Sequence, residues 1–108
     1  MQILRPIPTD AMTLTSKQRA HLRGLSHSLK PTVHVGKEGV TPAVVQSLTE
    51  TFRQHELVKV RVLEAAPESA KETAHALAQR LEDAHVVQTM GRNVTFYRPD
   101  PEQPTITL

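Results

Sequence analysis

The 108-residue chain contains no cysteine and no tryptophan, and it has only four glycines and three aromatic residues. The absence of cysteine excludes a disulfide scaffold, a thiolate metal site and a cysteine nucleophile. No apolar run approaches the roughly 18 residues of a membrane-spanning helix. The N-terminal stretch MQILRPIPTD lacks the apolar core of a signal peptide. We therefore expect a cytoplasmic protein without a membrane segment, and the length favours one small domain.

Helical and strand-like patterns alternate along the middle of the chain. Capping signals at Thr15, Thr41 and Ser69 predict the starts of three helices. Four β-rich runs predict strands, at residues 32–35, 57–62, 85–90 and 94–98. The resulting order, αβαβαββ, indicates a compact α/β sandwich with a mixed sheet of four strands.

Side-chain periodicity predicts which positions are buried. Three leucines at helical spacing predict the buried stripe of the first helix: Leu22, Leu25 and Leu29. The strand at 57–62 alternates valines with Lys59 and Arg61, so we expect a sheet with one covered face and one wet face. The last two strands are joined by a predicted three-residue turn, 91–93. The domain at 13–98 is predicted to lie between a loose arm, 1–12, and an extended proline-rich tail, 99–108.

The formal net charge of +2 hides a separation of charge along the chain. Residues 11–63 hold eight basic and three acidic side chains, whereas residues 64–90 hold two basic and five acidic ones. Four basic residues fall within one quadrant of the first predicted helix, namely Arg19, Arg23, His27 and Lys30. Basic residues often only solubilise a helix, but solvated faces usually mix both signs and this one has no acidic residue. We interpret the face as a surface that meets a polyanion.

The segment Gly36-Lys37-Glu38-Gly39 separates a predicted strand from a predicted helix. Glycines let a backbone approach a ligand closely, and a helix N-terminus attracts an anion such as phosphate. Taken alone, the loop indicates only a turn that needs glycine, since strand-to-helix turns often do. A Walker loop is excluded because Pro31 stands where its first glycine would be and Glu38 follows Lys37. The Rossmann fingerprint fails as well, because its third glycine is missing.

The remaining chemistry-bearing residues do not form a catalytic or metal-binding pattern. The six histidines are scattered, and no two have the i, i+4 spacing of a helical zinc site. His55 and Glu56 are neighbours that point to opposite sides of an extended chain. We therefore expect no catalytic residue, no metal and no cofactor. The scarcity of aromatic rings also makes base stacking a minor term in any nucleic-acid binding.

Seven short motifs occur in the order of a known family. They are TSKQ (15–18), RGLSH (23–27), LKP (29–31), VGKEGVT (35–41), HELVKVR (55–61), GR (91–92) and FYR (96–98). Together they resemble the CRM domain, the chloroplast RNA splicing and ribosome maturation domain, in its small bacterial YhbY-like form. The resemblance spans about residues 13–98.

The resemblance implies RNA binding without catalysis, on a fold similar to the C-terminal domain of bacterial translation initiation factor three. Bacterial members of the family are associated with precursors of the large ribosomal subunit. The G-x-x-G loop of the family corresponds to residues that we therefore assign to RNA binding: Gly36, Lys37, Glu38 and Gly39. The basic residues that the resemblance adds to this set are Arg19, Arg23, Lys30, Arg92 and Arg98.

The leading hypothesis is a monomeric protein that docks on structured ribosomal RNA during large-subunit assembly, with ribosomal proteins as further candidate partners. An alternative is an adaptor that contacts proteins through the acidic third helix and does not touch RNA. A small metal-dependent nuclease is the third reading, and no motif in the sequence favours it.

Overall fold

The computed structural model describes residues 14–106, so the predicted arm at 1–12 and the last two residues lie outside the described part of the chain. Three helices and four strands follow in the predicted order. They are α1 (Ser16–Ser26), β1 (Val33–Val35), α2 (Pro42–Phe52), β2 (Leu57–Val62), α3 (Ala70–Arg80), β3 (His85–Met90) and β4 (Asn93–Tyr97). The predicted α/β class with a four-stranded mixed sheet is confirmed.

Each helix begins where its capping signal predicts. The Thr15 hydroxyl accepts the Gln18 N–H at 3.1 Å, and the Gln18 side chain accepts the Thr15 N–H at 3.0 Å. Ser69 and Glu72 form the same reciprocal pair at the start of α3. Thr41 caps α2 through its hydroxyl. Each such cap typically stabilises a protein by about 1 kcal/mol.

The strands lie in the order β1-β2-β4-β3. β1 and β2 are parallel, whereas β4 is antiparallel to both of its neighbours. Met90 pairs with Asn93, which leaves Gly91 and Arg92 as a two-residue turn. The predicted three-residue turn is therefore wrong by one residue, because Gly91 adopts φ +60° and lets the chain reverse within two positions.

Both faces of the sheet carry apolar clusters. α2 and α3 cover the face with the β2 valines, and this cluster is the larger one. On the opposite face, Leu22 of α1 lies in a second cluster with Leu57, Val87 and Tyr97. The face predicted to be wet is therefore partly covered. The sequence alternation in β2 drew attention to Lys59 and Arg61 on this face. Leu57, at the start of the same strand, also lies on this face and is covered by the second cluster.

α1 is shorter than the leucine spacing predicts. The helix ends at Ser26, and the His27 N–H donates to the Gly24 carbonyl at 3.3 Å in a tighter turn. Leu22 is fully buried, whereas Leu25 is 39% exposed. Leu29 lies beyond the helix, half-buried against the second cluster. The prediction of a continuous buried stripe is correct for Leu22 and wrong for Leu25.

The three aromatic residues are all buried. Phe52 and Phe96 belong to the larger cluster and Tyr97 to the smaller one. No aromatic ring is therefore presented to solvent, and a base-stacking platform of exposed rings is excluded. Over residues 14–106, the helices are too short and too polar to cross a membrane.

Candidate functional site

The glycine loop (residues 36–39) is a tight turn between β1 and α2. The Gly39 N–H donates to the Gly36 carbonyl at 2.9 Å, so the exposed residues Lys37 and Glu38 form the tip. Gly39 is buried with φ +70°, and a Cβ there would lie 3.1 Å from Cγ of Pro67. Gly36 has no positive φ, and its Cβ would meet only ordinary contacts. The turn therefore requires glycine at position 39, whereas position 36 has room for a side chain.

The N-terminus of α2 offers an anion fewer donors than the sequence suggests. Pro42 is the first residue of the helix and has no N–H. The Val44 N–H donates to the Thr41 hydroxyl at 3.2 Å. A phosphate beside the glycine loop would therefore depend mainly on Lys37 and on the loop backbone.

Arg92 lies at the same end of the sheet as the glycine loop. The Leu63 N–H donates to the Val35 carbonyl at 2.9 Å, and the Val62 N–H donates to the Arg92 carbonyl at 2.8 Å. The Arg92 guanidinium also donates to the Leu63 carbonyl at 3.3 Å. These bonds join the loop after β1, the loop after β2 and the turn before β4. The structure thus places predicted site residues that are 53–56 positions apart in the chain at one end of the sheet.

Arg98 lies at the opposite end. It follows the last residue of β4, whereas Arg92 precedes the first, so the two are separated by about 20 Å of extended strand. Its N–H donates to the Glu56 carbonyl at 2.8 Å. Its side chain lines a cavity of about 300 Å³ together with Arg53 and Pro99, among other residues. The nine predicted site residues therefore do not form one contiguous patch.

The basic residues of α1 do not face solvent as a group, contrary to the predicted quadrant. The Arg19 guanidinium donates to the carbonyls of Val86 and Val87, the latter at 3.1 Å. These carbonyls lie where β3 changes register against β4, so Arg19 satisfies backbone groups at an irregular sheet edge. Lys30 lies outside the helix because α1 ends at Ser26. Arg23 is half-buried and Lys30 is exposed.

Two exposed basic residues beside the glycine loop were not among the predicted site residues. His34 and Arg61 are direct neighbours on β1 and β2. His34 directly precedes Val35, the last residue of β1 before the loop. The sequence did contain a signal for them, because both stand between buried valines and must point away from the larger cluster.

His85 is the histidine with the most unusual surroundings. Burial and the nearby charge of Arg19 lower its pKa below the ordinary value of 6.5. Its ring stacks on that of Tyr97 with centroids 6.4 Å apart, and its Nε2 atom is shielded from water without a hydrogen-bond partner. Within residues 14–106, no three histidine or acidic side chains come close enough together to hold a metal ion.

Glu56 holds the C-terminal segment. Its side chain is only 5% exposed, and its carboxylate accepts four hydrogen bonds from that segment. Oε2 accepts the Asp100 N–H at 2.6 Å, and Oε1 accepts the Thr105 N–H and hydroxyl and the Ile106 N–H at 2.7–2.8 Å. Burial alone would raise the pKa of Glu56, but these donors outweigh burial and lower it below 4.5. We call this arrangement the Glu56 clasp.

Known proteins are similar to this chain over most of its length. Residues 14–98 match the family profile of the CRS1/YhbY (CRM) domain. A protein of Haemophilus influenzae named RNA-binding protein is 37% identical over 90 residues, which cover 83% of this chain and 90% of that protein. A protein of Bacillus subtilis named probable RNA-binding protein is 35% identical over 95 residues, covering 88% of this chain and 98% of that one.

A solved structure has the same fold. The solution structure of a hypothetical protein from Staphylococcus aureus superimposes with a TM-score of 0.75 at 32% sequence identity. The match covers 89% of this chain and 99% of that chain. The fold and the sequence motifs therefore point to the same set of relatives.

Proposed function

The chain belongs to the CRM domain family, and from this premise we propose that it is a cytoplasmic RNA-binding protein without catalytic activity. Its ligand is structured ribosomal RNA on precursors of the large ribosomal subunit. The glycine loop and the basic residues beside it contact the RNA. The naming of its relatives as RNA-binding proteins supports the RNA part of this proposal.

One observation carries the assignment of the surface. The exposed tip of the glycine loop shares one end of the sheet with three side chains that can donate to phosphate: His34, Arg61 and Arg92. Neutralising several phosphates at once releases condensed counterions, and this term supplies much of the affinity of RNA-binding proteins. Lys37 at the tip is exposed and is the cation best placed to reach a backbone that crosses the loop.

The buried aromatic residues determine the mode of recognition. With Phe52, Phe96 and Tyr97 all in the core, stacking on aromatic rings makes no contribution from the described surface. Phosphate contacts and shape dominate instead, as is typical for structured RNA. Arg23 and Lys30 are further proposed phosphate contacts, and Lys30 precedes β1 beside His55 and Leu57, at the end of the sheet opposite the glycine loop. Arg19 instead holds β3 against α1.

Lys37→Ala tests the role of the loop. In filter binding over a salt series, the variant should bind all RNAs more weakly and should lower the slope of log K against log salt by about 0.7 to 0.9. Lys71→Ala is the matched control, because Lys71 is also exposed but lies on α3 beside Glu72. A slope that Lys37→Ala leaves unchanged would exclude Lys37 from phosphate contact.

Sedimentation of a cell lysate tests the ribosomal target. The protein should migrate with precursors of the large subunit, and ribonuclease treatment should release it. If it stays with residual protein complexes after ribonuclease treatment, the adaptor hypothesis is favoured over direct RNA contact.

A further inference from the structure

One part of the α1 side of the sheet is left uncovered. Leu22 and Ser26 of α1 lie over this face, and the Ser26 hydroxyl makes a 2.7 Å hydrogen bond with that of Thr95. The helix ends at Ser26, so it does not extend over the next row of the sheet. That row crosses all four strands through successive backbone partners, in the order His34, Arg61, Asn93 and Met90.

A cleft of about 190 Å³ lies between the end of α1 and this row. Its lining combines one ammonium group, one imidazole, two primary amides and one thioether, from Lys59, His27, Gln88, Asn93 and Met90. Met90 is 58% exposed, so its side chain is accessible from the cleft. The cleft therefore offers polar groups that can donate and accept, next to an accessible apolar surface.

The charge around the cleft suits a polyanion. α1 and all four strands contain no aspartate or glutamate. Arg61 is exposed on the same face as Lys59, and its neighbours on the adjoining strands are His34 and Asn93. No carboxylate on these elements therefore competes with a phosphate for the two cations.

The interior of the cleft suits a base better than a phosphate. His27 is the C-terminal cap of α1, and the negative end of a helix dipole disfavours an anion beside it. A primary amide such as that of Gln88 matches the paired donor and acceptor on the edge of a base. The polarizable side chain of Met90 can lie against the face of the ring. Phosphates of the same strand would then lie outward, near Lys59 and Arg61.

We propose that this cleft receives one unpaired nucleotide of the RNA that crosses the glycine loop. The inference rests on the proposed RNA-binding function and extends it, because it adds a base-reading pocket to a surface that otherwise contacts phosphates. Continuity supports it, since His34 and Arg61 lie next to the glycine loop and belong to the row of residues beside the cleft. Gln88 reads the base edge, and Met90 packs on its face.

The test uses the full chain and two synthetic RNA hairpins, one with a single-nucleotide bulge and one with that nucleotide deleted. The wild-type protein should prefer the bulged hairpin by at least about fivefold, the low end of what one good set of base contacts supplies. A 2-aminopurine at the bulge should change its fluorescence on binding, because the base leaves its stacked environment.

Gln88→Leu and Met90→Ala should each reduce the preference for the bulged hairpin. Neither should change the salt slope, because neither side chain contacts a phosphate. Gln46→Leu is the matched control, since Gln46 is exposed on α2, on the other side of the sheet. Met90 is exposed, so its variant keeps the test valid if the half-buried Gln88 proves necessary for folding.

The outcomes separate the two proposals. Equal affinity for both hairpins, or a preference that both cleft variants retain, would overturn the nucleotide pocket while a Lys37-dependent salt slope left RNA binding standing. Failure of the wild-type protein to bind either hairpin or ribosomal RNA at low salt would overturn the proposed function and the pocket with it.

Discussion

Glu56→Gln tests whether one buried carboxylate fixes the C-terminal segment to the domain. The substitution keeps the size of the side chain but removes its charge and replaces one acceptor oxygen by an NH2 group. The amide oxygen can still face the donors of Thr105 and Ile106, whereas the NH2 group would then face the Asp100 N–H, which is also a donor. One hydrogen bond is lost, and the other three become bonds to a neutral acceptor.

The expected loss follows from these four bonds. A hydrogen bond to a charged group contributes about 1.5–3 kcal/mol and a neutral one about 0.5–1.5 kcal/mol. The loss cannot exceed the free energy that holds the C-terminal segment on the domain, because a released segment hydrogen-bonds to water instead. We therefore expect Glu56→Gln to lower the free energy of unfolding by about 2–4 kcal/mol. For a domain of this size, the Tm should fall by more than about 8 °C. Glu64→Gln, at an exposed glutamate, is the control and should leave the Tm within about 4 °C.

The pH dependence gives a second readout with a defined sign. The pKa of Glu56 is lower in the folded protein than its ordinary 4.5, so the folded state favours the carboxylate. Its contribution to stability is fully present above about pH 4.5 and is lost as the pH falls through the folded pKa. The difference in stability between wild type and Glu56→Gln should therefore shrink as the pH falls below 4.5.

Truncation after residue 98 completes a double-mutant cycle. Removing the segment removes all four donors, so Glu56→Gln should have little further effect in the truncated chain. An equal loss in the full-length and truncated proteins, or an unchanged Tm in the full-length variant, would refute the clasp as a source of stability.

Two further predictions concern single side chains. Gly39→Ala should destabilise the protein by about 1–3 kcal/mol, because φ is +70° and the new Cβ would lie 3.1 Å from Cγ of Pro67. Gly36→Ala should change the free energy of unfolding by less than about 0.5 kcal/mol, with both variants measured by chemical denaturation. Equal losses of stability in the two variants would contradict the special requirement for glycine at position 39. Because burial lowers the pKa of His85, wild-type stability should begin to fall below pH 6.5. His85→Gln should abolish this fall in stability below pH 6.5, whereas His55→Gln, at an exposed histidine, should leave it unchanged. A fall in stability that persists in His85→Gln would show that another group causes it.

Because only Gly39 is required by the turn, the two glycine substitutions differ in what they can show about RNA binding. Weaker RNA binding by Gly39→Ala would be ambiguous, since the substitution disturbs the turn itself. Gly36→Ala leaves the turn intact and places a methyl group beside the path of the ligand. A loss of RNA affinity without a loss of stability at this position would indicate close approach of the RNA backbone.

The helix starts and strand alternation were predictable from the sequence because their causes are local. A capping box joins residues three positions apart, as for Thr15 and Gln18. The valines of β2 alternate because successive strand residues point to opposite faces. Burial that depends on another element was less predictable. Leu25 fits the helical spacing as well as Leu22 does, but only Leu22 meets the second cluster.

For the candidate site too, local features were predictable from the sequence and contacts between distant residues were not. The sequence alone identified the glycine loop and the concentration of basic residues in the first half of the chain, since both are contiguous features. It did not show that Arg19 is held by β3, because that contact spans more than 60 residues. Nor did it show that His34 and Arg61 are neighbours, which follows from the parallel pairing of β1 with β2.

The sequence by itself determined the order of the elements, the family and the sign of the charge, and its shortage of aromatic residues already argued against base stacking. Only the tertiary structure decided where those charges lie relative to one another. It placed Arg92 beside the glycine loop and Arg98 at the far end of the same strand. It also revealed Glu56 as an anchor for the C-terminal segment. The physical reason is that strand pairing and chain reversal bring distant residues together, and no local pattern records which distant residues will meet.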